Sequence, residues 1–128
     1  MTASSSALDH SIAGATPPEL LVMLYDRLVL DVQRGLEAQR DGNNVQTIDQ
    51  LTHALTIVAE LRRNVDLQAI KGGYDLAALY EFLNRRLVMA SIGNDTAITD
   101  ECLELVTDLC QTWRRLAETT HQLDALAQ

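Results

Sequence analysis

The segment 16–36, TPPELLVMLYDRLVLDVQRGL, constrains the fold more than any other part of this 128-residue chain. Thr16 is a suitable N-cap, Pro17 and Pro18 fit a first helical turn, and Glu19 completes a capping box. Apolar residues then follow at helical spacing: Leu20, Leu21, Leu24, Tyr25, Leu28, Val29, Val32 and Leu36. They cover an arc of roughly 200°, whereas a helix packed on one side needs little more than about 100°. We therefore expect this helix to have neighbours on two sides.

The rest of the chain predicts three further helices, because no proline follows Pro18 and turn-forming residues separate apolar stripes of helical spacing. The predicted helices cover residues 17–39, 45–65, 74–92 and, from 95 or 96, up to 119. The breaks are residues 40–44, with Asn44 as an N-cap, then Lys71-Gly72-Gly73 and the C-cap pair Gly93-Asn94. Helices of this length joined by short loops favour an all-α fold, an antiparallel up-down-up-down four-helix bundle over residues 16–128. Residues 1–15 are expected to form a flexible tail, and residues 121–128 to fray.

Each helix has a predicted core stripe. Helix 2 offers Ile48, Leu51, Leu55, Val58, Leu61 and Val65, widened by Ile57. Helix 3 offers Leu76, Leu79, Tyr80, Leu83, Leu87 and Ala90, and it carries Phe82 and Met89 on a second face beside Ala78 and Arg85. Helix 4 offers Ile98, Cys102, Leu105, Val106, Leu109, Trp113 and Leu116. The second face of helix 3 either packs under a neighbouring element or meets a partner.

Composition excludes several classes of function. A net charge of −8 disfavours nucleic acid as a partner, since binding to phosphates would add repulsion. No apolar run is long enough to insert in a membrane and no signal peptide opens the chain, so the expected location is the cytoplasm. Cys102 and Cys110 are about 12 Å apart along one helix, too far for a disulfide, and are expected to be buried apolar residues.

Candidates for chemistry are few. A di-iron site needs two Glu-x-x-His motifs, and only Glu118 with His121 matches. The other histidines, His10 and His53, lie in the tail and on the polar side of helix 2, away from the cysteines. No glycine-rich phosphate loop is present. We therefore expect no metal, no cofactor and no enzymatic activity. Excess apolar width on helices 1, 2 and 3 instead indicates a protein that binds an amphipathic helix.

Several motifs, in order along the chain, resemble those of FliS-type flagellin export chaperones. The first is Pro18-Glu19-Leu20-Leu21 leading into Met23-Leu24-Tyr25-Asp26. The others are Ile57 to Leu61, Gly72-Gly73, Leu79-Tyr80 with Arg85-Arg86-Leu87, Gly93-Asn94-Asp95 and Trp113. Tails in this family carry tyrosines, whereas residues 1–15 here have none, and Leu8 and Ile12 are the only apolar candidates for masking a binding surface.

The resemblance implies a cytoplasmic four-helix bundle that binds the disordered C-terminal segment of flagellin. Such a chaperone prevents premature polymerisation and helps to present flagellin to the gate of the flagellar type III export apparatus. The partner segment forms helices on the apolar surface of the bundle. The expected flagellin-contacting residues are Ile57, Leu61, Val65, Phe82, Arg85, Met89 and Tyr25. For Tyr25, a buried side chain with a bonded hydroxyl is the alternative.

A second interpretation is a self-associating structural bundle that has no chaperone activity and buries its wide stripes against another copy. The size of the free protein separates the two, because a chaperone is expected as a monomer or weak dimer. A metal-dependent enzyme is a third possibility, and metal analysis of the purified protein tests it.

Overall fold

The computed structural model describes residues 17–65 and 75–127, and these form four long helices. We number them α1 (Pro17–Arg40), α2 (Asn44–Arg63), α3 (Leu76–Ile92) and α4 (Thr96–Ala127). No strand occurs in this part of the chain. The expected tail over residues 1–15 and the glycine break at Gly72-Gly73 lie outside the described residues.

The helices form a ring in which α1 packs on α2 and α4, and α3 packs on the same two helices from the opposite side. Two hydrogen bonds join α1 to α3 across the ring. The hydroxyl groups of Tyr25 and Tyr80 lie 2.6 Å apart, and Gln39 Nε2 donates to the Ala90 carbonyl over 3.1 Å. The earlier residue of α1 pairs with the earlier residue of α3, and the later with the later, so α1 and α3 run parallel. The predicted all-helical bundle is confirmed.

The core consists of the inward stripes of all four helices. Those of α1 and α3 both step by four and three residues, at Leu21, Tyr25, Leu28 and Val32 and at Leu76, Tyr80, Leu83, Leu87 and Ala90. The α4 stripe includes Cys102, Val106, Cys110 and Trp113. Both cysteines are buried free thiols, as expected. At about 1.5–3 kcal/mol for each large apolar side chain, burial of these stripes is the main stabilising contribution.

The α2 helix is rotated relative to the prediction. Its buried residues are Thr47, Leu51, Ala54, Ile57, Val58 and Leu61, and Ile48, predicted in the core, is 54% exposed. Thr47 tolerates burial because its hydroxyl donates to the Asn43 carbonyl at 2.8 Å. The rotation turns Ile57 from the edge of the predicted stripe into the core, whereas Leu61, predicted on the stripe, is buried as expected.

The α1 and α2 helices approach closely at Gly35. A Cβ atom built at this position would lie 2.6 Å from Leu51 Cδ2, which is closer than real Cβ contacts allow. Leu51 is itself fully buried. Gly35 therefore sets the distance between the two helices, although glycine is a poor helix former.

Several helix ends differ from the prediction by one or more residues. Asn43, not Asn44, caps α2 by accepting from the Gln46 amide at 3.1 Å. The α3 helix ends at Ile92 as predicted and is followed by the predicted C-cap pair, in which Gly93 keeps a right-handed φ of −82° and Asn94 is left-handed, with φ of 49°. The α4 helix continues to Ala127, past its predicted end at residue 119. At 32 residues against 24 for α1, α4 is the longest helix, with Leu123 and Leu126 exposed.

Candidate partner-binding surface

The outward side of α3 carries an apolar stripe directly opposite its core stripe. We call this the α3 outer stripe: Ala78, Phe82, Arg85, Met89 and Ile92, all of them exposed. The exposed fractions of Phe82, Met89 and Ile92 are 47%, 49% and 83%. At about 100° per residue, the outer stripe lies roughly 200° around the axis from the core stripe. The α3 helix is thus apolar on two opposite sides, and only one of them is covered by the bundle.

Spacing makes the α3 outer stripe suited to a second helix. Its members follow one another at steps of four, three, four and three residues, the pattern that keeps an apolar seam facing a partner helix. From Ala78 to Ile92 it extends about 21 Å along the axis. Large apolar side chains exposed in one continuous line are typical of an interaction surface, whereas single exposed apolar residues are common on any protein.

Charge around the outer stripe is compensated except at its centre. Arg62 of α2 pairs with Glu81, and Arg86 pairs with Glu101 of α4. Arg85, between these two pairs, is exposed and forms no ion pair within the described part of the chain. A lone guanidinium within an apolar stripe is therefore available to a carboxylate from outside.

A groove between α2 and α3 adjoins the outer stripe. It contains a hollow of about 370 Å³ whose lining includes Val58, Ala59, Arg62 and Asn84. A second hollow of about 200 Å³ lies farther along the groove, between the start of α2 at Ile48 and the end of α3 at Ile92. Because Ile92 lines this second hollow and also belongs to the outer stripe, the groove and the outer stripe meet at the end of α3.

The structure separates the predicted partner-contacting residues into two groups. Phe82, Arg85 and Met89 lie together on the outer stripe. Ile57 and Leu61 are buried in the core. Leu61 was predicted on the core stripe, and the rotation of α2 buries Ile57 beside it, so neither side chain is exposed to a partner in this conformation. Val65, just past the end of α2, is half-buried against the core.

Tyr25 is also buried and therefore matches the alternative given for it. Its hydroxyl and that of Tyr80 form a hydrogen bond in the middle of the core. Burial, and then the neighbouring Tyr80, raises the pKa of Tyr25 far above its usual range. Burial also raises the pKa of Tyr80, to about 12. Both phenols are neutral at physiological pH, which suits a structural hydrogen bond.

Sequence reasoning missed a second polar contact in the core. Asp31 of α1 is completely buried, and it accepts hydrogen bonds from Arg27 Nε at 3.1 Å and from the His53 ring of α2. The burial of Asp31 could have been predicted from its position in the sequence. It is adjacent to Val32 and three residues after Leu28, and both of these belong to the core stripe of α1. A buried carboxylate requires such partners, so His53 has a structural role.

Ile92 was likewise missed as a member of the outer stripe. It lies three residues after Met89 and seven after Arg85, a spacing that places it on the same side of the helix. Its position as the last residue before Gly93 obscured this relation.

The described residues show neither a metal-ligand cluster nor an activated thiol. No three of their His, Cys, Asp and Glu side chains are grouped so that they could hold a metal ion. Burial raises the pKa of the Cys102 thiol to about 11, and it also raises the pKa of Cys110. Neither thiol has the lowered pKa of a nucleophile. What the surface offers instead is an apolar line with one positive charge, which is suited to binding a peptide.

Comparison with known proteins decides the family. The model of the family described as flagellar protein FliS matches residues 1–120. The chain belongs to the FliS family. A flagellar secretion chaperone FliS of Bacillus subtilis is 32% identical over 86% of this chain and 82% of the relative. Proteins of the same name from Vibrio cholerae and Salmonella typhimurium are 24% and 25% identical, over 93% and 87% of this chain and 88% and 84% of their own lengths.

Membership of the FliS family confirms the resemblance inferred from the motifs, and it connects the chain to flagellum biogenesis and protein export. The relatives are named as chaperones, and their family is not enzymatic, as expected for this chain. No helix within the described residues is long and apolar enough to span a membrane.

Proposed function

We propose that this protein is a cytoplasmic export chaperone for flagellin. It binds the disordered C-terminal segment of newly made flagellin, prevents premature polymerisation, and assists delivery to the flagellar type III export apparatus. Membership of the FliS family supports the general role, and the α3 outer stripe supports the mode of binding. The observation that carries this mode is the opposition of two apolar stripes on one helix, only one of which is covered.

In the proposed complex, the flagellin segment folds into an amphipathic helix on the α3 outer stripe. Phe82 and Met89 are the apolar anchors, because each has about half of its surface still to bury. Ile92 extends the contact toward the groove between α2 and α3, and Arg85 contributes charge. Val65 is a further candidate on the α2 side of this surface. A partner helix that covers the stripe completes the second layer that α3 lacks.

Co-purification with flagellin tests the proposal. The protein should retain full-length flagellin and lose it when the C-terminal segment of flagellin is removed. The isolated C-terminal segment should bind with one-to-one stoichiometry, and free flagellin should polymerise more slowly in the presence of the chaperone. Equal retention of full-length and truncated flagellin would refute the proposed binding mode.

A further inference from the structure

The α3 outer stripe has a feature that an apolar groove alone does not explain, namely the position of its single charge. Arg85 lies at the centre of the stripe, seven residues from Ala78 and seven from Ile92. Phe82 and Met89 flank it at three and four residues on either side. A helix that covers both anchors must also cover the residue between them.

Arg85 is distinct from the neighbouring arginines in having no partner within the chain's described residues. Arg62 and Arg86 are both held by carboxylates, Glu81 and Glu101. The protein as a whole carries eight more negative than positive charges, yet none of its described carboxylates neutralises Arg85. Covering an unpaired charge with an apolar helix is unfavourable unless the helix brings an opposite charge.

We infer that Arg85 selects, as the occupant of the α3 outer stripe, an amphipathic helix with a carboxylate between two apolar anchors. This inference rests on the proposed function and specifies the chemistry of the flagellin helix. The partner helix has apolar residues at steps of three and four, and an Asp or Glu among them faces the Arg85 guanidinium. The planar guanidinium matches a carboxylate with two parallel hydrogen bonds, so this contact fixes the register of the partner along α3.

A second copy of this chain fits the stripe poorly for the same reason. In a two-fold symmetric pair of antiparallel α3 helices centred on the stripe, each residue lies near its own symmetry mate at the centre. That residue is Arg85, so two positive charges would meet inside an apolar interface, which is unfavourable. The position of the charge thus favours a different helix over self-association.

The test compares two charge reversals that change the net charge equally. The probe is the C-terminal segment of flagellin from the same organism, titrated into wild-type, Arg85→Glu and Arg34→Glu proteins. Arg34 is an exposed arginine on α1, across the bundle from α3. Arg85→Glu should weaken binding at least about tenfold, whereas Arg34→Glu should change it less than about threefold. Arg85→Gln, with an intermediate loss, separates the missing attraction from the added repulsion.

Reversal in the flagellin segment completes the test. Each Asp and Glu of the segment is changed in turn to Lys, and one of these changes should weaken binding to wild type but restore binding to Arg85→Glu. Equal affinities of the Arg85→Glu and Arg34→Glu proteins, or no restoring change, would overturn the role of Arg85 and leave the proposed function standing. If the wild-type protein binds no flagellin segment at all, the proposed function and this inference both fail.

Discussion

At the scale of single residues, the Tyr25–Tyr80 hydrogen bond is the most specific interaction in the core. It joins α1 to α3, which also meet at the Gln39–Ala90 hydrogen bond and otherwise pack on α2 and α4. A hydrogen bond between buried side chains contributes about 0.5–1.5 kcal/mol net. This contact therefore fixes the relative positions of two helices more than it adds to total stability.

Tyr25→Phe and Tyr80→Phe should each lower the free energy of unfolding by about 1–2 kcal/mol. The double variant should lose less than the sum of the two, with a coupling energy of about 1 kcal/mol, because both changes remove the same hydrogen bond. Urea denaturation of the four proteins measures the coupling. Strict additivity would show that the two hydroxyls do not interact in solution.

Residue-level prediction from sequence succeeded where the pattern was narrow and failed where it was wide. The core stripe of α3 emerged correctly except that Leu79 is half-buried, because polar residues bound the stripe closely. On α2, apolar residues cover roughly 200° of the helix, and a core needs only about half of that. The helices beside α2 decide which half faces inward, so Ile48 was placed inside and Ile57 at the edge.

At the scale of elements, Gly35 sets how closely α1 and α2 pack. Gly35→Ala has two opposed effects. Better helix propensity stabilises by about 1 kcal/mol, whereas the clash with the buried Leu51 side chain costs about 1–3 kcal/mol. We expect the clash to dominate and the free energy of unfolding to fall, because a fully buried leucine has little room to move.

A second background isolates that clash. In a Leu51→Ala protein the obstructing atoms are gone, so Gly35→Ala should there be stabilising, by up to about 1 kcal/mol. Thermal and urea denaturation of the two single variants and the double variant check both signs. Stabilisation by Gly35→Ala in the wild-type background would mean that the helices are not in close contact at this point.

The α3 outer stripe should contribute to partner binding more than to the stability of the bundle. Phe82→Ala combined with Met89→Ala should leave the free energy of unfolding within about 1–2 kcal/mol, because each side chain is already half exposed. Binding to the C-terminal segment of flagellin should fall at least about tenfold, as expected for the loss of apolar anchors.

Leu87→Ala is the matched control for this prediction, because Leu87 is on the same helix but points into the core. It should cost about 2–5 kcal/mol of stability and leave the affinity of the folded fraction unchanged. Denaturation and peptide titration on all three proteins make the comparison. A large stability loss without an affinity change in the Phe82 and Met89 variant would return these residues to a structural role.

The sequence predicted the second apolar face of α3 but not all the residues that belong to it. Phe82 and Met89 were visible because they are large and seven residues apart. Ile92 was not recognised, because it is the last residue before the predicted C-cap pair Gly93-Asn94 and was assigned to no face of the helix. The uncompensated state of Arg85 could not be predicted, since it depends on the pairing of Arg62 and Arg86 with residues 19 and 15 positions away in the chain.

At the scale of the whole molecule, the free protein should be a monomer or at most a weak dimer. Self-association through the α3 outer stripe would bring two Arg85 side chains together at its centre, which is unfavourable. Light scattering with size-exclusion chromatography measures the mass, about 14.1 kDa for a monomer. A stable dimer that persists on dilution would favour the alternative of a self-associating bundle.

High pH should unfold the whole bundle through its buried acidic groups. The pKa values of Tyr80 and Cys102 are raised from 10.0 to about 12 and from 9.0 to about 11, and burial is the main cause of both shifts. The pKa of Tyr25 is raised by burial as well. In the unfolded chain these groups release their protons first, at their usual values, so between the two sets of values the folded state binds more protons. Stability is thus fully present below about pH 9 and is lost as the pH rises toward 11 and 12.

The free energy of unfolding should therefore be nearly constant between about pH 7 and 8 and decline steadily above about pH 9. A shift of one pKa unit corresponds to about 1.4 kcal/mol, so the shifts of Tyr80 and Cys102 together are a large fraction of the stability of a small domain. Urea denaturation at a series of pH values measures the slope. Cys102→Ala should reduce the slope from about pH 9 upward and Tyr80→Phe from about pH 10, because each removes one of the groups responsible. An unchanged slope in both variants would assign the alkaline instability to the overall negative charge of the chain instead.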